Sequence, residues 1–290
     1  MKRLKGFTIT NLAVLLVAAF GLTGCGGTDA KDAKQNTTES ADATGAAEGS
    51  TITVGASITP HSEVLYQAKE ILAKEGINLE VVEIEDSVTP NTGLVEGTLD
   101  ANYFQHQPYL DDFNEQNGTD LVSIGAIHYE PFGVYSSSLT SIDELPENAK
   151  VAVPNNVTNE ARALLLLEQE GVLTLKEDAG INATPLDIAE NPKNISFIEV
   201  DPSQLVNTLQ DVDIAVINGN YAIEGGLSVS DALAVESDQG IAAQTYANIV
   251  VTKKENANNP ALLRLVEVLQ SEEIANYINE NYGGAVVPLN

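Results

Sequence analysis

Positive charge is scarce in this chain, so the few places where it falls carry information. Of 290 residues, 14 are Lys or Arg and 42 are Asp or Glu, for a formal net charge of −28. Lys2, Arg3 and Lys5 stand ahead of every acidic residue, and after Cys25 the only arginines are Arg162 and Arg264. Arg162 follows the apolar run Val151-Ala152-Val153-Pro154 and the pair Asn155-Asn156, near the start of a leucine-rich helix. A guanidinium there can grip both oxygens of a carboxylate, and the first amides of a helix favour the same anion. The competing reading is a surface arginine paired with Glu160 or Glu168 along its own helix.

Two amides and an aromatic cluster are the next candidates. Asn218 follows the β-branched run Ile214–Ile217 and Asn248 precedes Ile249–Val251. A side-chain amide donates and accepts, which suits a ligand bearing both ammonium and carboxylate; a turn asparagine is the plainer use of either. Phe104, His106 and Tyr109 lie within Asn102–Tyr109 at a loop-to-helix junction, where aromatics can enclose an apolar ligand tail, a thioether included, or simply pack in the core. His61, His106 and His128 also admit a metal reading, zinc or manganese capture, although spacing leaves open whether they converge.

Enzyme chemistry finds no pattern to rest on. The sequence has no glycine-rich phosphate loop, no nucleophile elbow and no His-Glu-x-x-His, so neither catalysis nor a cofactor is expected. The acidity excludes nucleic acid as a partner.

The elements that must hold these residues alternate in type. Strands are expected at Thr51–Gly55, Leu79–Ile84, Leu121–Gly125, Val151–Val153, Ile195–Val200, Ile214–Ile217 and Ile249–Val251. Helices are expected through Val64–Leu72 and Ala161–Glu170, and after Asp201-Pro202 and Asn259-Pro260. This is an α/β pattern with mostly parallel strands, too many for one small sheet, so it divides into two α/β lobes. The site then belongs in the cleft between lobes, at the carboxyl ends of strands.

The N-terminus carries targeting chemistry. Three basic residues, an apolar stretch from Phe7 to Leu22 and Leu22-Thr23-Gly24-Cys25 predict a secretory signal over 1–24, with Cys25 as a lipidation site. A free cysteine closing an uncleaved anchor helix is the alternative. As the only cysteine, Cys25 excludes an intramolecular disulfide. Residues 25–50 read as the lipidated Cys and a flexible acidic linker, without a large apolar residue. The folded part is thus expected outside the cytoplasm, tethered to a cell membrane rather than spanning it.

Over Ile52 to the C-terminus the chain resembles the NlpA lipoproteins. The resemblance rests on Asp100–Tyr109, Ser141–Pro146, Val151–Asn155, Thr158–Leu167, Glu190–Asn194 and Ala215–Asn218. It implies a two-lobed, periplasmic-binding-protein-like fold, with residues 51–130 plus 244–290 in one lobe and 131–243 in the other. It further implies a monomeric binding component of an ABC importer, delivering a free amino acid, L-methionine first, to a permease and ATPase. By position Arg162 would take the ligand carboxylate, Asn218 and Asn248 its α-amino and carboxylate groups, and Phe104, His106 and Tyr109 its side chain. Hinges are expected near His128–Gly133 and Gln239–Asn248. One departure stands out: Ile84 and Ser87 occupy positions where methionine binders of the family commonly carry aromatics, leaving another amino acid or a dipeptide open.

Overall fold

Residues 49–237 and 241–289 are described by the computed structural model, all within the unit Asp42–Asn290. The signal segment, Cys25 and the linker up to residue 48 lie outside the described residues. From the N-terminal side, Thr51–Ala56 (β1), Glu63–Lys74 (α1), Asn78–Glu83 (β2), Thr89–Glu96 (α2), Ala101–His106 (β3), Gln107–Asn117 (α3) and Val122–Tyr129 (β4) build the first layer. In α1 the residues Val64, Leu65, Ala68 and Leu72 recur at helical spacing and are buried, which sets the face that packs on the sheet. The chain then passes through Gly133–Tyr135 (β5), Lys150–Pro154 (β6), Val157–Gln169 (α4), Thr174–Leu175 (β7), Ile188–Glu190 (β8), Ser196–Val200 (β9), Leu205–Thr208 (α5), Ile214–Ile217 (β10), Gly219–Glu224 (α6) and Ala234–Val235 (β11). Ile241–Thr245 (α7), Asn248–Thr252 (β12), Pro260–Leu269 (α8), Glu272–Tyr282 (α9) and Val287–Pro288 (β13) complete it.

Two sheets of the same design result. The first has the order β13-β4-β12-β3-β1-β2 and the second β11-β5-β10-β6-β9. β2, β1 and β3 run parallel, as do β9, β6 and β10, while β12, β4, β13, β5 and β11 join antiparallel. Both sheets are therefore mixed, and the expectation of mostly parallel strands holds only for β2-β1-β3 and β9-β6-β10. The crossings explain this: the chain leaves the first sheet after Tyr129 and enters the second at Gly133, then returns between Val235 and Asn248.

Each lobe has its own apolar core, one around Val54, Leu65, Leu79, Val250 and Leu265, the other around Val134, Val151, Leu164, Leu167 and Val216. The strand and helix expectations hold to within a few residues, with two differences. Asp201-Pro202 opens only a 3-10 turn and the short α5. β3, expected as a loop leading into α3, is a central strand buried along most of its length: Ala101 and Tyr103 join the apolar core, while Asn102 and Gln105 hydrogen-bond Asn91 and one another. Among the described residues no helix is long and apolar enough to cross a membrane.

Candidate ligand-binding site

The carboxyl ends of parallel strands from both sheets converge on one cavity of about 490 Å³, part of it open to solvent. His106 closes β3 and caps α3, its Nδ1 accepting from the Tyr109 N–H at 3.2 Å. Asn156 follows β6 and caps α4, its Oδ1 accepting from the Asn159 N–H at 3.2 Å. Asn218 follows β10 and precedes α6. All six residues singled out from sequence, Phe104, His106, Tyr109, Arg162, Asn218 and Asn248, line this cavity. Phe104 and Tyr109 meet edge to face with centroids 5.9 Å apart, and His106 Nε2 lies 3.0 Å from Asn159 Oδ1, across from its own lobe.

Arg162 is not a surface arginine of its own helix. It is 3% exposed, with its guanidinium carbon 4.0 Å from the Phe132 ring centroid and 4.4 Å from that of Tyr246. Its partner is neither Glu160 nor Glu168 but Glu236: Nε donates to both carboxylate oxygens at 3.0 Å and Nη2 to Oε2 at 2.5 Å. Nη2 also donates to the Glu130 carbonyl at 2.8 Å. Glu236 further accepts from Tyr129 Oη at 2.6 Å and the Phe132 N–H at 3.2 Å. Burial raises the Glu236 carboxyl, but the guanidinium and these donors outweigh it and hold it below its ordinary value.

The three histidines do not converge as one set. His61 and His128 meet at Glu130, where His128 Nε2 is 2.6 Å and His61 Nε2 3.5 Å from Oε1; His106 stays with Asn159. Tyr103 Oη bonds His128 Nδ1, so the network assigns the His128 proton to Nε2, facing Glu130. His61 Nε2 lies 2.9 Å from Asn248 Oδ1. Burial pulls the His61 imidazole down to about 4, against the attraction of Glu130, and lowers His106 to about 4 as well, so both are neutral near pH 7. His61, His128 and Glu130 could also face a metal ion, their ligand atoms lying within 4.8 Å of one another.

Several lining residues were not anticipated. Asn156, Asn159 and Arg162 follow at intervals of three on α4, a stripe that helical spacing could have revealed. Behind the lining, Tyr246 faces the Arg162 guanidinium at 4.4 Å and stands two residues before Asn248, an adjacency legible in the sequence. Glu130, which lines the cavity, and Glu236, which holds the Arg162 guanidinium, carry no signal among so many carboxylates; only the crossings bring them to Arg162. Ser87 lines the cavity and its carbonyl accepts from Tyr109 Oη at 2.8 Å, whereas Ile84 packs in an apolar cluster with Leu99 instead. The lobe-two Tyr221 also lines the cavity, and its Oη donates to the Glu85 carbonyl at 3.5 Å.

Two α/β lobes with a cavity at the strand ends, lined by aromatic and polar side chains alike, define a binding protein. The chain matches the NlpA lipoprotein family over residues 52–290 and belongs to it, a family of substrate-binding proteins and not of enzymes. Among similar proteins, the methionine-binding lipoprotein MetQ of Bacillus subtilis is 38% identical over 243 residues, 82% of this chain and 88% of that one. A nutrient-binding protein of Burkholderia cenocepacia, solved bound to methionine, is 44% identical with a TM-score of 0.79, covering 82% of this chain and 100% of the other. An ABC transporter periplasmic substrate-binding protein of Coxiella burnetii is 41% identical with a TM-score of 0.78, covering 82% and 99%.

Proposed function

We propose that this chain is the solute-binding lipoprotein of an ABC importer, captures a free amino acid, methionine first, and hands it to a permease and its ATPase. The observation that carries the reading is the pairing, in one cavity, of a guanidinium with a buried amide oxygen, Asn218 Oδ1, that has no hydrogen-bond partner. The first calls for a carboxylate, the second for a donor, and an α-amino acid supplies both on adjacent atoms. Nη1 of Arg162, which the bonds to Glu236 and the Glu130 carbonyl leave unused, takes the ligand carboxylate together with the Asn248 amide nitrogen. Phe104, His106 and Tyr109 receive the side chain, an edge-to-face aromatic pair suited to a thioether.

Capture proceeds by closure of residues 51–130 plus 244–290 on residues 131–243, with hinges at the crossings near His128–Gly133 and Gln239–Asn248; residues 238–240 lie outside the described set. Cys25 carries the lipid that keeps this monomer at the outer face of the cell membrane. A broader groove sharing Ser87, Tyr109 and Asn156 with the cavity supports an entrance there, with room for a dipeptide.

Metal capture has one observation behind it, the His61, His128 and Glu130 cluster. Those groups are already hydrogen-bonded to one another and to Tyr103 and Asn248, which favours the amino acid. Thermal unfolding of the full chain in detergent, against free amino acids, short methionine peptides, zinc and manganese, separates these readings, because a ligand that binds only the native state raises the midpoint by mass action. Methionine is expected to raise it, with or without chelator. A shift with a metal alone, abolished by chelator, would replace the cargo, and no shift with any amino acid or peptide would overturn the reading.

A further inference from the structure

We propose that Glu130 is the anionic wall of the cavity and reads the ligand's α-ammonium, restricting the site to compounds with a free α-amino group. The inference rests on the amino-acid reading above and adds a residue and a selectivity to it. Glu130 lines the same cavity as Arg162, Asn218 and Asn248, and is 5% exposed. Its carboxylate is fixed from both lobes: Oε1 accepts from His128 Nε2 at 2.6 Å, and Oε2 from the Asn220 N–H at 2.9 Å. A carboxylate offers about four acceptor positions, so two donors leave capacity for a ligand.

Charge counting points the same way. Arg162 is neutralised by Glu236, whereas among the described residues Glu130 pairs with no lysine or arginine, only with the imidazoles of His61 and His128. Burial favours the neutral acid at Glu130, yet the histidine pair and the Asn220 N–H outweigh it and hold the carboxyl below its ordinary value. A buried carboxylate is costly unless paired. A ligand bearing only a carboxylate adds a second anion to this space, whereas a zwitterion brings the missing cation.

Geometry supplies the second acceptor. A Cβ at Gly219 would fall 2.8 Å from the Glu130 Cβ, so the chain at Asn218-Gly219 lies directly against Glu130. The unpartnered Asn218 Oδ1 belongs to that same segment. Asn248 plays the complementary part: with its Oδ1 turned to His61 Nε2 at 2.9 Å, its amide nitrogen is the end left for a ligand carboxylate. His61 and His128 are thus positioning residues, one setting the Asn248 amide and the other the Glu130 carboxylate.

The test is calorimetric titration of the full chain in detergent with methionine, its deaminated analogue 4-(methylthio)butanoate and N-acetylmethionine, for wild type and Glu130→Gln. Wild type is expected to bind methionine at least about 10- to 150-fold more tightly than either analogue, the range spanned by a hydrogen-bonded charge. Glu130→Gln is expected to weaken methionine by a similar factor and to leave the deaminated analogue unchanged, collapsing the ratio. An undiminished ratio in a folded variant would overturn the role of Glu130 while methionine binding by wild type keeps the amino-acid reading. If the variant does not fold, the wild-type series decides alone: equal affinity for methionine and the deaminated analogue overturns the inference. Failure of wild type to bind any free amino acid removes both.

Discussion

Arg162 and Arg264 make nearly the same contact in opposite surroundings. Arg264 on α8 forks onto Glu75, just past the end of α1, with Nε and Nη2 at 2.7 and 2.8 Å from its two oxygens, and adds Glu267 at 2.7 Å. Those Arg264 and Glu75 side chains are 26% and 24% exposed, whereas the Arg162 and Glu236 side chains are 3% and 9% exposed. A solvated pair gains little, because water already solvated both ions; a buried pair is held together by what each ion would cost alone. Burial, not pairing geometry, therefore decides which arginine matters. The largest expected effect follows: Arg162→Ala abolishes ligand binding and also destabilises the fold by about 3–5 kcal/mol, because it leaves the Glu236 carboxylate buried without its cation. Titration calorimetry and urea denaturation measure the two parts, and wild-type affinity in this variant would end the carboxylate role.

Acid sharpens the comparison next. His61 and His106 have folded-state values of about 4, below their ordinary 6.5, so the unfolded chain takes up protons first. Their contribution is fully present above about pH 6.5 and is lost as pH falls toward about 4, by about a few kcal/mol in all. Burial, with the charge of Glu199, raises Glu160 to about 7, and this runs the other way: its contribution is present below about 4.5 and lost as pH rises through about 7. Both glutamate partners of the arginines, Glu236 and Glu75, are held low, so the pairs weaken only below about pH 4.5. Denaturation between pH 6.5 and 5 is expected to show declining stability, shallower in His106→Gln and steeper in Glu160→Gln. A profile unchanged by His106→Gln would contradict a histidine buried in its neutral form.

The site was half legible, and the divide has a physical cause. Arg162, Asn218 and Asn248 stand beside β-branched runs, and strand ends are where α/β clefts form, so position alone nominated them. Hydrophobic pattern could not nominate β3, since Asn102 and Gln105 are satisfied by each other and by Asn91 of α2 and mimic a loop composition. Nor could it find Glu130 and Glu236, which reach Arg162 from 32 and 74 residues away only because the chain crosses twice between sheets. Gly219 is legible as a turn glycine, yet its role is spatial: a Cβ there would meet the Glu130 Cβ at 2.8 Å and the Pro131 carbonyl at 3.2 Å. Gly219→Ala is thus expected to cost about 1–3 kcal/mol of stability and to weaken binding by displacing Glu130. An affinity and a denaturation midpoint equal to wild type would show that the crossing yields freely at this point.

The smallest effect belongs to the exposed arginine, and its size is the control on everything argued from burial. Arg264→Ala removes a fork to Glu75 as well formed as that of Arg162, together with a second bond to Glu267. Water reaches both carboxylates once the cation is gone, so neither is stranded, and the loss is expected to stay within about 1 kcal/mol. At 1 M salt, where the screening length is about 3 Å, the difference from wild type should disappear, and ligand affinity should be unchanged throughout because neither Arg264 nor its partners Glu75 and Glu267 line the cavity. Urea denaturation at low and high salt reads the first two expectations, and calorimetry the third. Were Arg264→Ala to cost as much as Arg162→Ala, hydrogen-bond geometry and not desolvation would govern these pairs, and the charge counting that places an ammonium against Glu130 would lose its footing.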